Sequence, residues 1–294
     1  MVYEDIAANK KNTFLLILLV IAIISGLGYL IGEIYGDPWT FTIFAFITSL
    51  FMSFFSYYYS DSIVIAITGA KPADRNLHAQ YFLSAEGLSI AAGIPMPRLY
   101  VLDDDNINAF ATGRDPKHSA IAVTYGALKK LDKFELEGVI AHEISHIKNY
   151  DILVGTVAAV LVGMVIIITD AMKRNIFRSR RSSGSSRGGG IFFIIILVLA
   201  VIIAPIAAML IRYAISRQRE YLADAQAVLL TRYPKGLIGA LLKIKTEFMS
   251  PDEVNRGLAH LYFAFPLSIE SSEMFSTHPD INSRIARLQT MEYK

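Results

Sequence analysis

The sequence predicts a mainly α integral membrane protein, with about four transmembrane helices and a polar α+β domain built around a small β-sheet. Three observations predict it. AVILMFWYC make up 53% of the 294 residues, and the mean hydropathy is +0.43. Charged residues make up only 18%, against roughly 25% in an average soluble domain. The apolar residues gather in four uncharged runs, each close to the ~20 residues a helix needs to cross a bilayer.

The runs occupy residues 13–32, 39–60, 152–169 and 191–211. Pro205 lies in the fourth, where a membrane helix tolerates it. Trp39 and the Tyr57–Tyr58–Tyr59 cluster flank the second run, as interfacial aromatic belts do. The first run is long for a signal peptide, lacks a small-residue cleavage pattern, and is followed by a second run after a short turn. Lys10 and Lys11 precede it, and the turn to the second run carries Glu33 and Asp37 but no Lys or Arg. The positive-inside rule therefore places the N-terminus and the polar segments in the cytoplasm. The loop between the third and fourth runs opposes that rule, because it holds Lys173, Arg174, Arg178, Arg180, Arg181 and Arg187. Either the first hairpin and the domain after it dominate the topology, or the second hairpin is buried in protein or only partly inserted.

The chain thus divides into a two-span hairpin (1–60), a first polar half (61–151), a second apolar hairpin (152–211) with its basic loop over 172–190, and a second polar half (212–294). A hairpin that crosses twice returns the chain to its starting side, so the polar halves can meet in one domain. Residues 99–102 and 121–124 are short apolar or β-branched runs, and Asn108, Ala109, Phe110, Ala111 and Thr112 open a third, edge-type strand over 108–113. Helices are expected over 77–92, ended by Gly93 and Pro95, from Lys133 onward, over 216–230 and 236–248, and after Pro279. Residues 250–276 read as loop-rich.

The chain has no cysteine. Disulfide scaffolds, thiol catalysis, iron–sulfur clusters and thiolate-held zinc are excluded. A net charge of +2 gives no global field for nucleic acid, and the lipid bilayer is the partner that the composition implies. Six histidines remain: His78, His118, His142, His146, His260 and His278. Two belong to His142-Glu143-Ile144-Ser145-His146, an H-E-x-x-H motif. On a helix, Leu136, Ile140, Ile144 and Ile147 fall within about 80° and form a core stripe, while His142 and His146 stand about 40° apart on a neighbouring face. Both imidazoles can reach one Zn²⁺, and Glu143 is placed to touch a water rather than the metal. His78, His118 and His260 read as surface or structural.

A catalytic zinc needs a third protein ligand and an open position. Glu220 is the candidate ligand, nine residues after the fourth run, on the same membrane face as His146. Asp224 shares its helix face at i,i+4 and is a candidate to accept an N–H from a ligating histidine. Water held at such a site would be acidified within reach of Glu143.

The motifs H-E-x-x-H-x-x-N-x-D at 142–151, R-x-R-E-Y-x-A-D at 217–224, S-T-H-P at 276–279 and R-I-A-R-L at 284–288, with two N-terminal spans and an apolar hairpin between the ligands, resemble the HtpX-type membrane zinc proteases. That family is a heat-shock-associated quality-control group of bacterial and archaeal inner membranes, and its wider circle includes the CAAX prenyl endopeptidase. The resemblance covers essentially the whole chain. It implies a zincin-like catalytic domain on the cytoplasmic side of a multi-pass cell-membrane protein, and one Zn²⁺ per chain held by His142, His146 and Glu220. It implies unfolded or membrane-protein substrates, quality-control partners in the membrane, and substrate added as a strand to Asn108–Thr112. It also implies that His278 or Arg284 approaches the site, to hold the ligand carboxylate or the oxyanion.

Other readings fit less well. An intramembrane protease would carry the motif inside a span, whereas Lys129, Lys130, Asp132, Lys133, Glu135 and Glu137 lie just upstream and Asn149 and Asp151 just downstream; its L-D-G-type aspartate ligand is also missing. A protease for lipidated peptides of the prenyl type would carry more spans. A metal transporter would place ionisable ligands within its spans, and these four have none. A non-catalytic membrane scaffold would have no need of Glu143.

Overall fold

The computed structural model describes residues 2–157, 217–246 and 279–291. The second apolar hairpin beyond residue 157, its basic loop, residues 250–276 and His278 lie outside the described residues.

Two long helices open the chain, α1 (Val2–Tyr35) and α2 (Pro38–Thr68). Both are long and apolar enough to cross a membrane, over Ile6–Tyr35 and Pro38–Thr68. Phe14, Leu18, Leu30, Phe44, Phe51 and Phe54 point outward from them. Buried Ser49, Ser53, Ser56 and Ser60 form the inner stripe of α2, where small side chains let helices approach closely.

The second helix runs eight residues beyond the apolar run that predicts it. Polar Ser60, Asp61 and Ser62 end the hydrophobic run but do not break a helix; the break comes at Gly69, in the left-handed conformation. The extension reaches into the polar domain. Asp61 pairs with Arg98, and Val64 packs on Leu102, Phe110 and Ala122.

The sheet is mixed, in the order β1 (Lys71–Pro72), β2 (Arg98–Leu102), β4 (His118–Thr124), β3 (Ala109–Asp115). β2 and β4 are parallel, with Leu99 opposite Ile121, and the β3–β4 hairpin is antiparallel, with Ala111 opposite Ile121. Among the described residues β3 is an edge strand, as its sequence predicts. Gly113 has φ +140°, and a Cβ there would lie 2.2 Å from the carbonyl oxygen of His118, so the bulged hairpin admits only glycine. Side chains alternate between the two faces. Phe110 and Ala122 meet α2, whereas Ala109, Ala111, Ile121 and Val123 face the main core.

That core is organised by α5 (Lys133–Lys148), with α3 (Ala79–Ala92) beside it and α4 (Tyr125–Lys130) leading into it. α3 ends at Gly93 as its sequence predicts. α5 starts with a capping box: Asp132 accepts from the Phe134 and Glu135 amides while Glu135 accepts from the Asp132 amide. Its stripe of Leu136, Ile140, Ile144 and Ile147 is buried. α6 (Arg217–Thr231), α7 (Pro234–Thr246) and α8 (Ile281–Met291) complete the core. α7 lies against α5 through two glycines: a Cβ on Gly138 would meet the Leu237 amide nitrogen at 2.7 Å, and one on Gly236 would meet the Phe134 oxygen at 2.3 Å. Arg287 on α8 stacks 3.8 Å over the Tyr221 ring of α6.

Candidate active site

α5 and α6 supply the centre. The core stripe of α5 fixes its rotation, so His142 and His146, one turn apart, turn toward α6. Their Nε2 atoms are 3.1 Å apart. The Glu220 carboxylate lies 3.6 Å from His142 Nε2 and 3.5 Å from His146 Nε2. These three residues form the group able to hold a metal ion among the described residues. Ligand atoms at the ~2.0–2.1 Å of a tetrahedral zinc site lie about 3.3 Å from one another, and the observed edges bracket that value. The donor set fits the ion in number, chemistry and spacing.

Each imidazole is held from behind. Asp224 Oδ1 is 2.9 Å from His142 Nδ1, and Asp151 Oδ2 is 3.0 Å from His146 Nδ1. A neutral imidazole has one N–H. Placed on Nδ1 and donated to the aspartate, it leaves the Nε2 lone pair facing the centre, the arrangement that metal-ligating histidines adopt. Arg284 Nη2 is also 3.4 Å from His142 Nδ1, but the shorter aspartate contact claims that nitrogen.

Arg284, fully buried, grips Asp224 through Nε at 2.9 Å and Nη2 at 2.7 Å, a bidentate fork. Its Nη1 is 3.9 Å from Glu220 Oε2, so it does approach the ligand carboxylate. Arg219 Nη1 lies 3.9 Å from Asp151 Oδ1. Four carboxylates (Glu143, Asp151, Glu220 and Asp224) thus stand against two guanidinium groups, an acidic surplus that favours a bound cation.

The electrostatics follow from this crowding. Burial would raise the Asp224 carboxyl, but the Arg284 charge and the His142 contact outweigh it and hold its pKa down at about 2. Burial would lower the His146 imidazole, yet the Asp151 hydrogen bond and the carboxylates of Glu220, Asp151 and Glu143 hold it up at about 9. Glu143 is 3% exposed. Its pKa is raised, chiefly by burial; the two imidazoles and a hydrogen bond from the Ala111 amide pull the other way. That amide lies on the side of β3 turned away from β4, since the Asn108 carbonyl accepts from the Thr124 amide and so faces β4.

The structure therefore brings together His142, Glu143, His146, Glu220, Asp224, Arg284 and the Ala109–Thr112 strand. Asn108 lies just before that strand, its amide donating to Thr124 Oγ1. His118 pairs with Asp115 on the surface, and His78 accepts from the Asp74 amide. Asp151 is the residue that the sequence left without a role, although it sits in the extended motif five positions after His146. The only local signal was a charged residue at the foot of an apolar run.

Residues 75–292 match the model of peptidase family M48. The Protease HtpX homolog of Dictyoglomus thermophilum is 45% identical over 289 residues, covering 98% of this chain and 94% of that protein. The Protease HtpX homolog of Tropheryma whipplei is 41% identical over 294 residues, covering 99% of each. The crystal structure of S. mikatae Ste24p aligns at TM-score 0.49 and 20% identity, over 96% of this chain and 66% of that one. The matched family range takes in the whole cluster from His142 to Arg284, and with relatives aligned over nearly their full length, the chain belongs to peptidase family M48 and is a metalloprotease.

Proposed function

We propose that this metalloprotease is a membrane-bound zinc endopeptidase that cleaves unfolded or damaged membrane proteins on the cytoplasmic side of the cell membrane. The observation that carries the reading is the triangle of His142, His146 and Glu220 with edges of 3.1, 3.6 and 3.5 Å. Two imidazoles and one carboxylate, with a fourth position left for water, are a donor set of catalytic zinc.

When bound, zinc is a Lewis acid that acidifies water toward neutral pH and polarises a carbonyl. His142, His146 and Glu220 hold the ion, and Asp224 and Asp151 fix the imidazole tautomers. Glu143, its pKa raised by burial, takes the proton from the attacking water and passes it to the leaving amine nitrogen. Arg284 keeps Asp224 ionised and in place, and its Nη1 screens Glu220. The outward carbonyls of Ala109 and Ala111 offer main-chain hydrogen bonds to an extended substrate, while the Ala109 amide donates to Asn108 Oδ1 at 2.9 Å and the Ala111 amide to Glu143. Pairing through the main chain is indifferent to side-chain identity, which suits unfolded substrates.

Two outward-facing apolar helices support the membrane anchor, and Lys10 and Lys11 at the entry to the first support a cytoplasmic site. The sequence runs 152–169 and 191–211 are apolar enough for two further spans, which would make a four-span, multi-pass protein with room for quality-control partners in the bilayer.

The test uses the full chain in detergent, as wild type and as Glu143→Gln. Both are expected to bind one zinc, and only the wild type to cleave an unfolded membrane protein. Cleavage by Glu143→Gln at the wild-type rate would reject the base; zinc-loaded wild type that cleaves no unfolded protein would reject the substrate class.

A further inference from the structure

The first apolar helix reaches the carboxylate that backs one of the metal-facing histidines. Asn9 on α1 is 4% exposed. Its Nδ2 donates to Asp151 Oδ1 at 2.8 Å and to the Asn149 carbonyl at 3.1 Å. Both donor hydrogens of the amide are thus accounted for. The other oxygen of the same carboxylate, Asp151 Oδ2, is 3.0 Å from His146 Nδ1. One carboxylate therefore joins α1 at one oxygen to a metal-facing imidazole at the other.

The backbone between them is shaped for this contact. α5 ends at Asn149, and the chain resumes helix at residue 151. Tyr150 links the two with φ +60°, a left-handed conformation that a bulky residue rarely takes. Such outliers persist where the surroundings over-determine them. Here Asn9 holds the carbonyl before Tyr150 and the side chain after it, and Lys10 Nζ stands 4.3 Å over its ring. Thr13 Oγ1 donates to the Asn9 carbonyl at 2.9 Å. On the far side, the Asn149 amide exchanges hydrogen bonds with Gln226 at 2.9 and 3.4 Å, tying the same turn to the helix that carries Glu220. The turn is where α1, α5 and α6 meet.

We propose that Asn9 is a positioning residue for the metal site: through Asp151 it sets the orientation of His146, which makes the first membrane helix part of the zinc-binding apparatus. The proposal rests on His146 being a metal ligand. Without Asn9, Asp151 Oδ1 keeps the Arg219 contact at 3.9 Å but loses its hydrogen bond from α1, so the carboxylate rotates about its side-chain torsions and the imidazole it steers loses its aim. Partners of this kind are worth about 10- to 100-fold in metal affinity.

Zinc affinity of the full-length protein in detergent, the d–d absorption of its cobalt-loaded form, and the Tm of the metal-free form are the readouts. Asn9→Ala is expected to weaken zinc binding about tenfold or more and to alter the cobalt spectrum, with the metal-free Tm little changed. Asn9→Asp, which sets a like charge against Asp151, is expected to weaken it further. Asn9→Ser, too short to reach Asp151, serves if the alanine variant does not accumulate, with the same loss expected. Lys11→Ala, exposed on the same helix and off the relay, is expected to keep wild-type affinity. A lowered metal-free Tm with wild-type zinc affinity and cobalt spectrum in the Asn9 variants would overturn the proposal and leave Asn9 as structural glue. His146→Ala separates the two claims. If it loses zinc while the Asn9 variants do not, only the relay fails; if it keeps wild-type affinity, the ligand reading fails.

Discussion

Arg284 donates two hydrogen bonds to Asp224, at 2.7 and 2.9 Å, inside a pocket closed to solvent. The pair spans 60 residues of chain and joins α8 to α6. Because Asp224 also meets His142 Nδ1, and Arg284 Nη1 stands 3.9 Å from Glu220 Oε2, α8 acts on the ligand residues without supplying one. Removing one partner of a buried ion pair leaves the other charge uncompensated, at a cost of about 3–5 kcal/mol. Arg284→Ala is therefore expected to lower stability by that order and to weaken metal binding. Arg284→Lys is expected to rescue it poorly, since an ammonium cannot reproduce the fork. Thermal unfolding and zinc titration of both variants check this.

The ligand and the base are separable by metal content. Glu220→Ala and His142→Ala are expected to purify with little zinc, and Glu143→Gln with a full equivalent. Mass-spectrometric metal analysis decides between the roles. Undiminished zinc in Glu220→Ala would remove it from the ligand set.

Metal removal should be reversible in activity. The cluster lies between α5 and α6, whose packing on the sheet, α7 and α8 is largely apolar. Chelation is expected to abolish cleavage and lower the Tm, and added Zn²⁺ to restore both, because binding free energy adds to folding free energy. Activity that survives complete removal would show that hydrolysis needs no metal.

The α5–α7 contact has no room for a side chain. Gly236→Ala places a Cβ where the Phe134 carbonyl oxygen stands. Overpacking of this kind costs about 1–3 kcal/mol, and the expected outcome is a lower Tm with metal binding retained at temperatures where the variant is folded.

The start of α5 offers a milder perturbation. Asp132→Ala removes the acceptor for the Phe134 and Glu135 amides. The expected loss is about 1 kcal/mol, read in Tm, with zinc content unchanged.

Local pattern made much of this legible. The 3.6-residue stripe of Leu136, Ile140, Ile144 and Ile147 fixed which face of α5 the histidines share, and the i,i+4 pair Glu220 and Asp224 marked the partner helix. β3 emerged as an edge strand where Asn108–Gly113 suggested one. What sequence could not show depends on distant or strained contacts. β1, two residues long, carries no periodicity. The eight-residue extension of α2 was masked by Ser60, Asp61 and Ser62, which break hydropathy but not helix. Asp151 reaches His146 across a turn in which Tyr150 adopts a left-handed φ, which tyrosine does not advertise. Asn9 lies 142 positions from the carboxylate it holds.

Zinc K-edge absorption spectroscopy of the full-length protein, beside Glu220→Ala, tests the central claim most directly. The expected spectrum of the wild type shows two imidazole nitrogens and oxygen donors at ~2.0–2.1 Å, with one oxygen donor lost or zinc absent in the variant. A wild-type centre with any other number of imidazoles, or an unchanged spectrum in Glu220→Ala, would contradict the assignment of His142, His146 and Glu220 as the site.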